Sequence, residues 1–211
     1  MRNIVIDYDR YLSEQKNLSI KKNAQFQRKC KNLSIKTGNN EFDISIKKRM
    51  KKFKHLFEYI NIKKMIPKNS KVLSLGSRRG EEIMALRNFG YNAVGIDLIP
   101  FGDYVIEGDF HHLPFEDNSF SFIFSNSLDH AFDFSQIFDE IWRVLRKGSY
   151  CVLHLVIGEK HKNSKEIVSN IDNLSDLTEF LVGKFYIERS FRFIGSFAGG
   201  LNTLVILKVI K

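Results

Sequence analysis

A short apolar stretch that runs directly into a glycine turn constrains the fold of this chain more than any other feature. Residues 72–81 read VLSLGSRRGE, which predicts a strand that ends at Gly76 and a helix that opens near Glu81. Glycine lets the backbone approach a ligand without a clashing Cβ, and a helix start offers unpaired amides. No Gly-Lys-Ser/Thr follows, and Arg78 stands where a dinucleotide-binding loop has its second glycine. An ordinary strand-to-helix turn is the alternative interpretation.

An acidic residue at a fixed distance from this turn strengthens the functional interpretation. Gly95-Ile96-Asp97 ends the next apolar stretch, and Asp97 follows Gly76 by 21 positions. A carboxylate about 20 residues after the glycine turn binds the ribose of a nucleotide in open α/β sheets. It only accepts hydrogen bonds, so it suits two vicinal hydroxyls. A solvent-facing loop aspartate is the alternative.

Two further stretches place polar residues just after apolar ones. Residues 108–115 read GDFHHLPF, and there an acid could accept from an exocyclic amine while Phe110 covers a base ring. Residues 124–130 read FSNSLDH and follow another apolar stretch. Because ligands of open α/β sheets bind beyond the carboxyl ends of the strands, both stretches are expected at the same edge.

The order of apolar segments predicts an α/β fold. Strands that alternate with helices imply right-handed crossovers and a mostly parallel sheet. A glycine-rich connection between the last two segments favours a closing antiparallel hairpin. The prediction is a Rossmann-like open sheet of seven strands with helices on both faces. The strands are expected at 71–75, 92–98, 103–108, 120–125, 150–157, 185–193 and 201–210, and the helices at 46–66, 81–88, 134–146 and 175–182.

The positive charge is concentrated in the first third of the chain. The net charge is +9, yet residues 1–70 hold 18 basic and 6 acidic residues, so the remainder is slightly acidic. Such a segment can meet nucleic acid or another polyanion, although a solvated lysine-rich face is the alternative. We therefore predict a basic N-terminal arm or lid over residues 1–45, with one or two short helices, and a main α/β domain over residues 46–211.

Composition excludes several other classes. No run of 18 apolar residues exists, so no membrane span is predicted. The first residues lack the pattern of a signal peptide. Cys30 and Cys151 are the only cysteines, which excludes a disulfide framework or a cysteine-rich zinc site and suits a reducing compartment. We expect a cytoplasmic protein.

Four ordered motifs carry a family resemblance. With VLSLGSRRG, GID, GDFHHLPFEDNSFSFIFSNSLDH and WRVLRKGSYCVLHLV, the chain resembles a class I S-adenosylmethionine-dependent methyltransferase over residues 70–157. The family's loop usually has a central glycine and often an acid before it, where this chain has Arg78 and Ser74. The resemblance implies S-adenosylmethionine as cofactor and methyl transfer to oxygen or nitrogen of an acceptor such as a small molecule, a sugar or a nucleic acid. The cofactor-binding residues it implies are Gly76, Ser77, Gly80, Asp97, Leu98, Asp109, Phe110, Ser125 and Asn126.

Such a protein catalyses methyl transfer mainly by aligning the acceptor with the methyl group. The methyl group of the cofactor is already electrophilic, so few catalytic side chains are needed. A base helps only where the acceptor is an alcohol or a protonated amine, and Asp129 and His130 are the best-placed candidates. A structural role for His130 as the cap of the next helix is the alternative, and His154, inside an apolar strand, is expected in the core.

Two other functions stay open. One is an inactive binding module that holds nucleic acid or a protein partner through its basic arm, and the other is a nicotinamide-dependent oxidoreductase.

Overall fold

The fold is a seven-stranded, mostly parallel sheet with the strand order β3-β2-β1-β4-β5-β7-β6. This computed structural model describes residues 7–158, 171–193 and 202–211. The predicted Rossmann-like fold, with its antiparallel C-terminal pair, is confirmed. The strands are β1 (Lys71–Leu75), β2 (Asn92–Asp97), β3 (Val105–Glu107), β4 (Phe120–Ser125), β5 (Leu145–Leu155), β6 (Phe185–Arg192) and β7 (Thr203–Val209).

The strand order places a topological switch point beside β1. From β1 the chain builds β2 and β3 on one side, and it then returns to form β4 on the other side. β1 pairs in parallel with both β2 and β4, so the carboxyl ends of the three strands lie together at one edge. Ligand sites of open α/β sheets lie at such an edge.

Helices cover both faces of the sheet, which explains the nearly continuous apolar strands. On one face Ile137 and Phe138 lie in a core with side chains of β4 and β5. On the other face Phe53, Phe57 and Ile83 pack against β1 and β4. The helices are α1 (Tyr8–Thr37), α2 (Glu41–Tyr59), α3 (Ile62–Met65), α4 (Glu81–Asn88), α5 (Phe134–Val144) and α6 (Thr178–Leu181).

The N-terminal arm is more regular than the sequence indicates. Instead of short helices it contains one helix of 30 residues, α1, which the Asp7 side chain caps at its start and Gly38, in the left-handed conformation, ends. The periodicity of this segment is faint because α1 buries only Tyr11, Asn23 and Cys30. α2 begins at Glu41, so the expected boundary between residues 45 and 46 falls within this helix.

The C-terminal part follows the prediction with shifted bounds. α5 ends at Val144 because Leu145 adopts an extended backbone, and β5 therefore starts five residues earlier than expected. His154 is fully buried in β5, which confirms its expected place in the core. β6 and β7 pair antiparallel. The glycine-rich connection between them lies mostly outside the described residues.

Candidate active site

The turn after β1 needs glycine because another loop presses against it. Gly76 has φ +71°, and a Cβ on it would lie 2.5 Å from the Cβ of Ser127. The Ser127 hydroxyl donates to the Gly76 carbonyl at 3.2 Å. A side chain at position 76 would separate the loops that follow β1 and β4. Gly76 therefore brings the two carboxyl-terminal loops of the switch point into contact.

Asp97 points toward this turn from the end of β2. Its Oδ2 accepts from the backbone amide of Arg78 at 2.9 Å, and its Oδ1 accepts from the amide of Ile99 at 3.0 Å. Burial raises the pKa of Asp97, although both amides oppose this shift. Each carboxylate oxygen has room for a second donor. Asp97 can thus hold the loop in place and still accept from two hydroxyl groups.

The arginines of the turn are largely buried. Arg78 has φ +23°, and burial, followed by the nearby charge of Arg79, lowers the pKa of its guanidinium. The Nε of Arg79 donates to Glu81 at 2.9 Å, and its guanidinium lies 4.2 Å from the ring centre of Phe26 in α1. Arg79 therefore turns away from the strand end and links the loop to the N-terminal arm.

A second carboxyl group lies beneath the turn. Glu82 is 3% exposed, and its Oε1 accepts from the hydroxyl of Ser74 at 3.3 Å. Burial, with a contribution from the charge of Glu81, raises the pKa of Glu82 to about 7. Helix α4 thereby places the carboxyl group of Glu82 beside Ser74. Class I methyltransferases, which the sequence resembles, often have an acidic residue at the position of Ser74.

Asp109, expected beside a base, is bound to two neighbours. Its Oδ1 accepts from the backbone amide of His111 at 2.9 Å and lies 2.7 Å from Nδ1 of that ring. The Tyr8 hydroxyl donates to its Oδ2. Burial alone would raise the pKa of Asp109, but the hydrogen bonds from His111 and Tyr8 hold it below its ordinary value. Nε2 of His111 accepts from the amide of Phe132 at 3.1 Å, which makes Nδ1 the protonated nitrogen.

The first turn of α1 covers this edge of the sheet. The Tyr11 hydroxyl donates to the His130 carbonyl at 2.7 Å. The ring of Tyr8 lies 5.2 Å from that of Phe132 and 5.5 Å from that of His111. Lys16 lies 3.9 Å from Glu107, at the end of β3. The predicted arm thus contacts the loops after β3 and β4 directly.

The other predicted cofactor residues have three different settings. Three reach the edge of the sheet: the Phe110 ring lies 3.8 Å from the position of a Cβ on Gly76, the Asn126 Oδ1 accepts from Ser127 at 3.3 Å, and Leu98 is partly exposed. Two hydroxyls instead bond within the protein, since Ser77 donates to the Ser74 carbonyl and Ser125 to the Leu75 carbonyl. Gly80, with φ +73°, starts α4.

Asp129 and His130, the predicted catalytic pair, lie in a short 3₁₀ helix (Leu128–His130) that follows β4. The cap of α5 is Asp133, whose side chain accepts from the amide of Gln136. His130 therefore does not cap this helix.

Sequence reasoning missed four residues that organise the site. Ser127 follows the fourth strand in the noted motif but was not singled out. Tyr8 and Tyr11 lie three positions apart, a spacing that places them on one face of α1. His111 lies within the stretch GDFHHLPF, where no local signal distinguishes it from the adjacent His112. None could be assigned without the tertiary contacts of Tyr8, Tyr11, His111 and Ser127.

This geometry defines a class of protein before any comparison is made. A glycine turn, a carboxylate at the end of the second strand and aromatic side chains meet at the switch point of a parallel sheet. The class is a nucleoside-binding α/β domain.

Comparison with known proteins shows what the central part of the chain resembles. Residues 73–153 match a family model described as a methyltransferase domain. Sterol 24-C-methyltransferase of Schizosaccharomyces pombe is 28% identical over 137 residues, which cover 54% of this chain and 36% of that protein. The chain thus matches only about a third of this curated relative.

Solved structures support the same fold. An S-adenosylmethionine-dependent methyltransferase of Methanosarcina mazei aligns with 70% of this chain and 95% of its own, at a TM-score of 0.57 and 18% identity. A TehB-like S-adenosylmethionine-dependent methyltransferase of Corynebacterium glutamicum aligns with 71% of this chain and 85% of its own, at a TM-score of 0.54 and 20% identity.

Residues 73–153 of the chain are thus similar to a methyltransferase domain, and the chain shares its fold with S-adenosylmethionine-dependent methyltransferases. S-adenosylmethionine is the cofactor that the methyltransferase match implies. Among the described residues no helix combines the length and apolar character that a membrane span needs.

Proposed function

We propose that this protein transfers a methyl group from S-adenosylmethionine to an oxygen or nitrogen atom of an acceptor. The observation that carries the proposal is the placement of Asp97 at the Gly76 turn, with one further acceptor position on each carboxylate oxygen. The methyltransferase domain match over residues 73–153 supports it. The two buried free thiols, Cys30 and Cys151, are consistent with a cytoplasmic location.

The residues present fit the nucleoside part of the cofactor. Asp97 would accept from the two ribose hydroxyls, while Leu98 and Phe110 would cover the base. Asp109 would accept from the exocyclic amine of adenine. Gly76, Gly80 and Ser77 would shape the turn, and Ser125 and Asn126 would line the methionine end.

Tyr8 makes α1 part of this binding site. Its hydroxyl already donates to the Asp109 oxygen that would receive the adenine amine. Binding therefore requires Tyr8 to share this carboxylate or to move away from it. α1 in this position acts as a lid, because the same helix turn also bonds to the loop after β4 through Tyr11.

The bound cofactor supplies an electrophilic methyl group, and the chain's own residues position it and exclude water. Where the acceptor is an alcohol or an ammonium group, the carboxylate of Asp129 or the imidazole of His130 would take its proton. Both follow β4 on the ligand side. Their role predicts a loss of turnover at unchanged cofactor affinity in Asp129→Asn or His130→Gln.

Two observations favour the second candidate, an inactive binding module of the same fold. Asp109 is satisfied by Tyr8 and His111, and a buried arginine replaces the central glycine of the turn. Both features oppose cofactor binding, so a binding measurement discriminates between the two functions.

Calorimetric titration with S-adenosylhomocysteine tests the proposal. We expect binding by the wild type and a loss of at least about 10- to 100-fold in affinity for Asp97→Ala, since even one hydrogen bond to a charged group contributes about 1.5–3 kcal/mol. Asp97→Asn, which keeps the volume, should also weaken binding. Asp103→Ala is the matched control, because Asp103 is exposed and lies in the same region.

Three results are informative. Binding by the wild type that Asp97→Ala weakens supports the site. Unchanged binding by Asp97→Ala refutes the assigned pocket, and no binding by a folded wild-type protein refutes the methyltransferase and leaves the binding module.

A further inference from the structure

A dense group of cations lies on the outer face of α2. Residues 44–57 contain six lysines and arginines and no acidic residue. Five of them form what we call the α2 basic stripe. It consists of Lys47, Lys48, Lys51, Lys52 and Lys54, all of them exposed.

The stripe is held in place by the opposite face of the same helix. Phe53 and Phe57 are 1% and 0% exposed and pack against Phe124 of β4. Because the buried face fixes the rotation of α2, the five lysines on the opposite face of the helix must point away from the sheet. The direction of the charge is therefore a property of the fold rather than of mobile side chains.

The cations of the stripe are not neutralised within the described part of the molecule. Lys54 lies 3.9 Å from Glu58, a distance typical of a weak exposed pair. Among the described residues no acidic group lies within 4.0 Å of Lys47, Lys48, Lys51 or Lys52. The field of these charges is thus directed into solvent.

This arrangement costs stability in the free protein. Lys47 and Lys51, like Lys48 and Lys52, are separated by four positions and repel each other across one helix turn. Each such pair destabilises a helix by about 0.2–0.5 kcal/mol. A polyanion placed along the stripe reverses the sign of this interaction, because each phosphate would lie between cations.

The residues at the two ends of the stripe distinguish between a membrane surface and a nucleic acid as its partner. Beyond α2 the exposed lysines continue through Lys63, Lys64 and Lys68. The large apolar side chains exposed along α2 are Ile44 and Tyr59, one near each end. A helix that binds a membrane surface presents an apolar face for insertion, and the apolar face of α2 is already buried. A chain of phosphates needs only the cations. The Tyr59 ring packs against Phe191 and Phe193 and remains 58% exposed.

We propose that the α2 basic stripe binds the sugar-phosphate backbone of a nucleic acid. The stripe starts near the candidate active site, since Arg49 of the same helix pairs with Glu81 at 3.1 Å, next to the glycine turn. Binding itself does not require methyl transfer. The corollary that the bound nucleic acid is the methyl acceptor rests on the proposed function.

Fluorescence anisotropy with a labelled single-stranded RNA of about 20 nucleotides tests the binding. With about four phosphate contacts, affinity should fall about 50-fold between about 50 and about 200 mM salt. Lys48→Glu/Lys52→Glu should weaken binding at least about 10-fold at low salt and make the salt dependence shallower. The matched control is Arg146→Glu/Lys147→Glu, which makes the same charge change at exposed sites at the start of β5 and should weaken binding far less.

The same preparations are titrated with S-adenosylhomocysteine, which also shows that the variants are folded. RNA binding lost only in the stripe variant, with cofactor affinity kept, supports the proposal. Equal weakening in both variants assigns the effect to net charge and overturns it, as does absent or salt-insensitive RNA binding. Binding to phosphatidylcholine vesicles with about 30% phosphatidylserine but not to RNA identifies a membrane surface and also overturns it. Wild-type RNA binding without cofactor binding refutes the proposed function alone.

Discussion

Two groups of charged residues in this protein lie on opposite sides of one helix and differ in nearly every physical respect. At the glycine turn Arg49 and Arg79 converge on Glu81, whose side chain is 3% exposed. On the outer face of α2 the lysines are exposed and have weak partners or none among the described acids. The first group holds loops together, and the second directs an electrostatic field outward.

This difference reflects the distinct properties of arginine and lysine side chains. An arginine has a planar, weakly hydrated charged group with fixed donors, which suits a buried ion pair. The Nε of Arg79 donates to Glu81, whereas Arg49 contributes its charge at 3.1 Å without a hydrogen bond from its Nε. A lysine has a strongly hydrated ammonium group on a flexible stem, which suits an exposed position. Burial makes the first group sensitive to the loss of a partner, whereas solvent screens the second.

The largest effect is expected from breaking the buried group. Glu81→Ala leaves the guanidinium groups of Arg49 and Arg79 without their shared acid, and removal of one partner of a buried pair typically costs about 3–5 kcal/mol. Because Arg49 is 35% exposed, we expect a loss near the lower end of that range in urea unfolding. The control Glu58→Ala breaks the exposed pair with Lys54 and should cost at most about 0.5 kcal/mol. Equal losses in both variants would remove the distinction between the two regions.

A pH-dependent effect is expected from Glu82. The folded state raises its pKa from 4.5 to about 7, so the folded protein keeps a proton that the unfolded chain releases. The free energy of unfolding should therefore decrease as the pH rises from 4.5 to 7, by about 3 kcal/mol from this group alone.

Glu82→Gln removes this titration. It should match the wild type near pH 5 and exceed its stability by about 2–3 kcal/mol near pH 8, as measured by urea unfolding at both pH values. The control Glu58→Gln alters an exposed group and should follow the wild-type profile. Parallel curves for wild type and Glu82→Gln would show that Glu82 is ionised in the folded protein.

A smaller effect is expected where α1 contacts the site. Tyr8→Phe removes the donor that competes for Asp109, so S-adenosylhomocysteine should bind about 3- to 10-fold more tightly in calorimetry. Tyr11→Phe is the control, since its hydroxyl bonds to a carbonyl rather than to Asp109, and it should not tighten binding. Weaker binding by Tyr8→Phe would mean that Tyr8 supports the ligand instead of competing with it.

The smallest effect on stability is expected from the stripe. In Lys48→Glu/Lys52→Glu the two new carboxylates still repel each other across one helix turn, while each gains an opposite charge three positions away, on Lys51 or Arg49, so the free energy of unfolding should change by no more than about 0.5 kcal/mol. Thermal unfolding at low and high salt measures this change. A loss above about 2 kcal/mol would show that these lysines have structural partners.

Much of the main domain was predictable because its signals are local. The strand β1, the glycine turn and α4 are encoded within residues 71–88, where apolar periodicity and turn chemistry agree. The position of Asp97 followed from a spacing that the sheet architecture imposes. β5, buried on both faces, was recognisable from its continuous apolar residues, although its start was not.

The arm was harder to predict, because α1 is stabilised by caps and by few buried residues over its 30 positions. Its polar sequence shows little periodicity, so its length depends on helix propagation rather than on an apolar face. The contacts of Tyr8 with Asp109 and of Tyr11 with His130 join residues 101 and 119 positions apart. No local pattern encodes such contacts.

The sequence by itself therefore determined the order of strands and helices, the turn that needs glycine and the clustering of positive charge, since each depends on neighbouring residues. Only the tertiary structure decided which charges are neutralised. It buries the arginines of the turn against Glu81 and Asp97, and it leaves the lysines of α2 in solvent. The physical reason is that burial and pairing depend on how helices pack on the sheet, and that packing joins residues far apart in the chain.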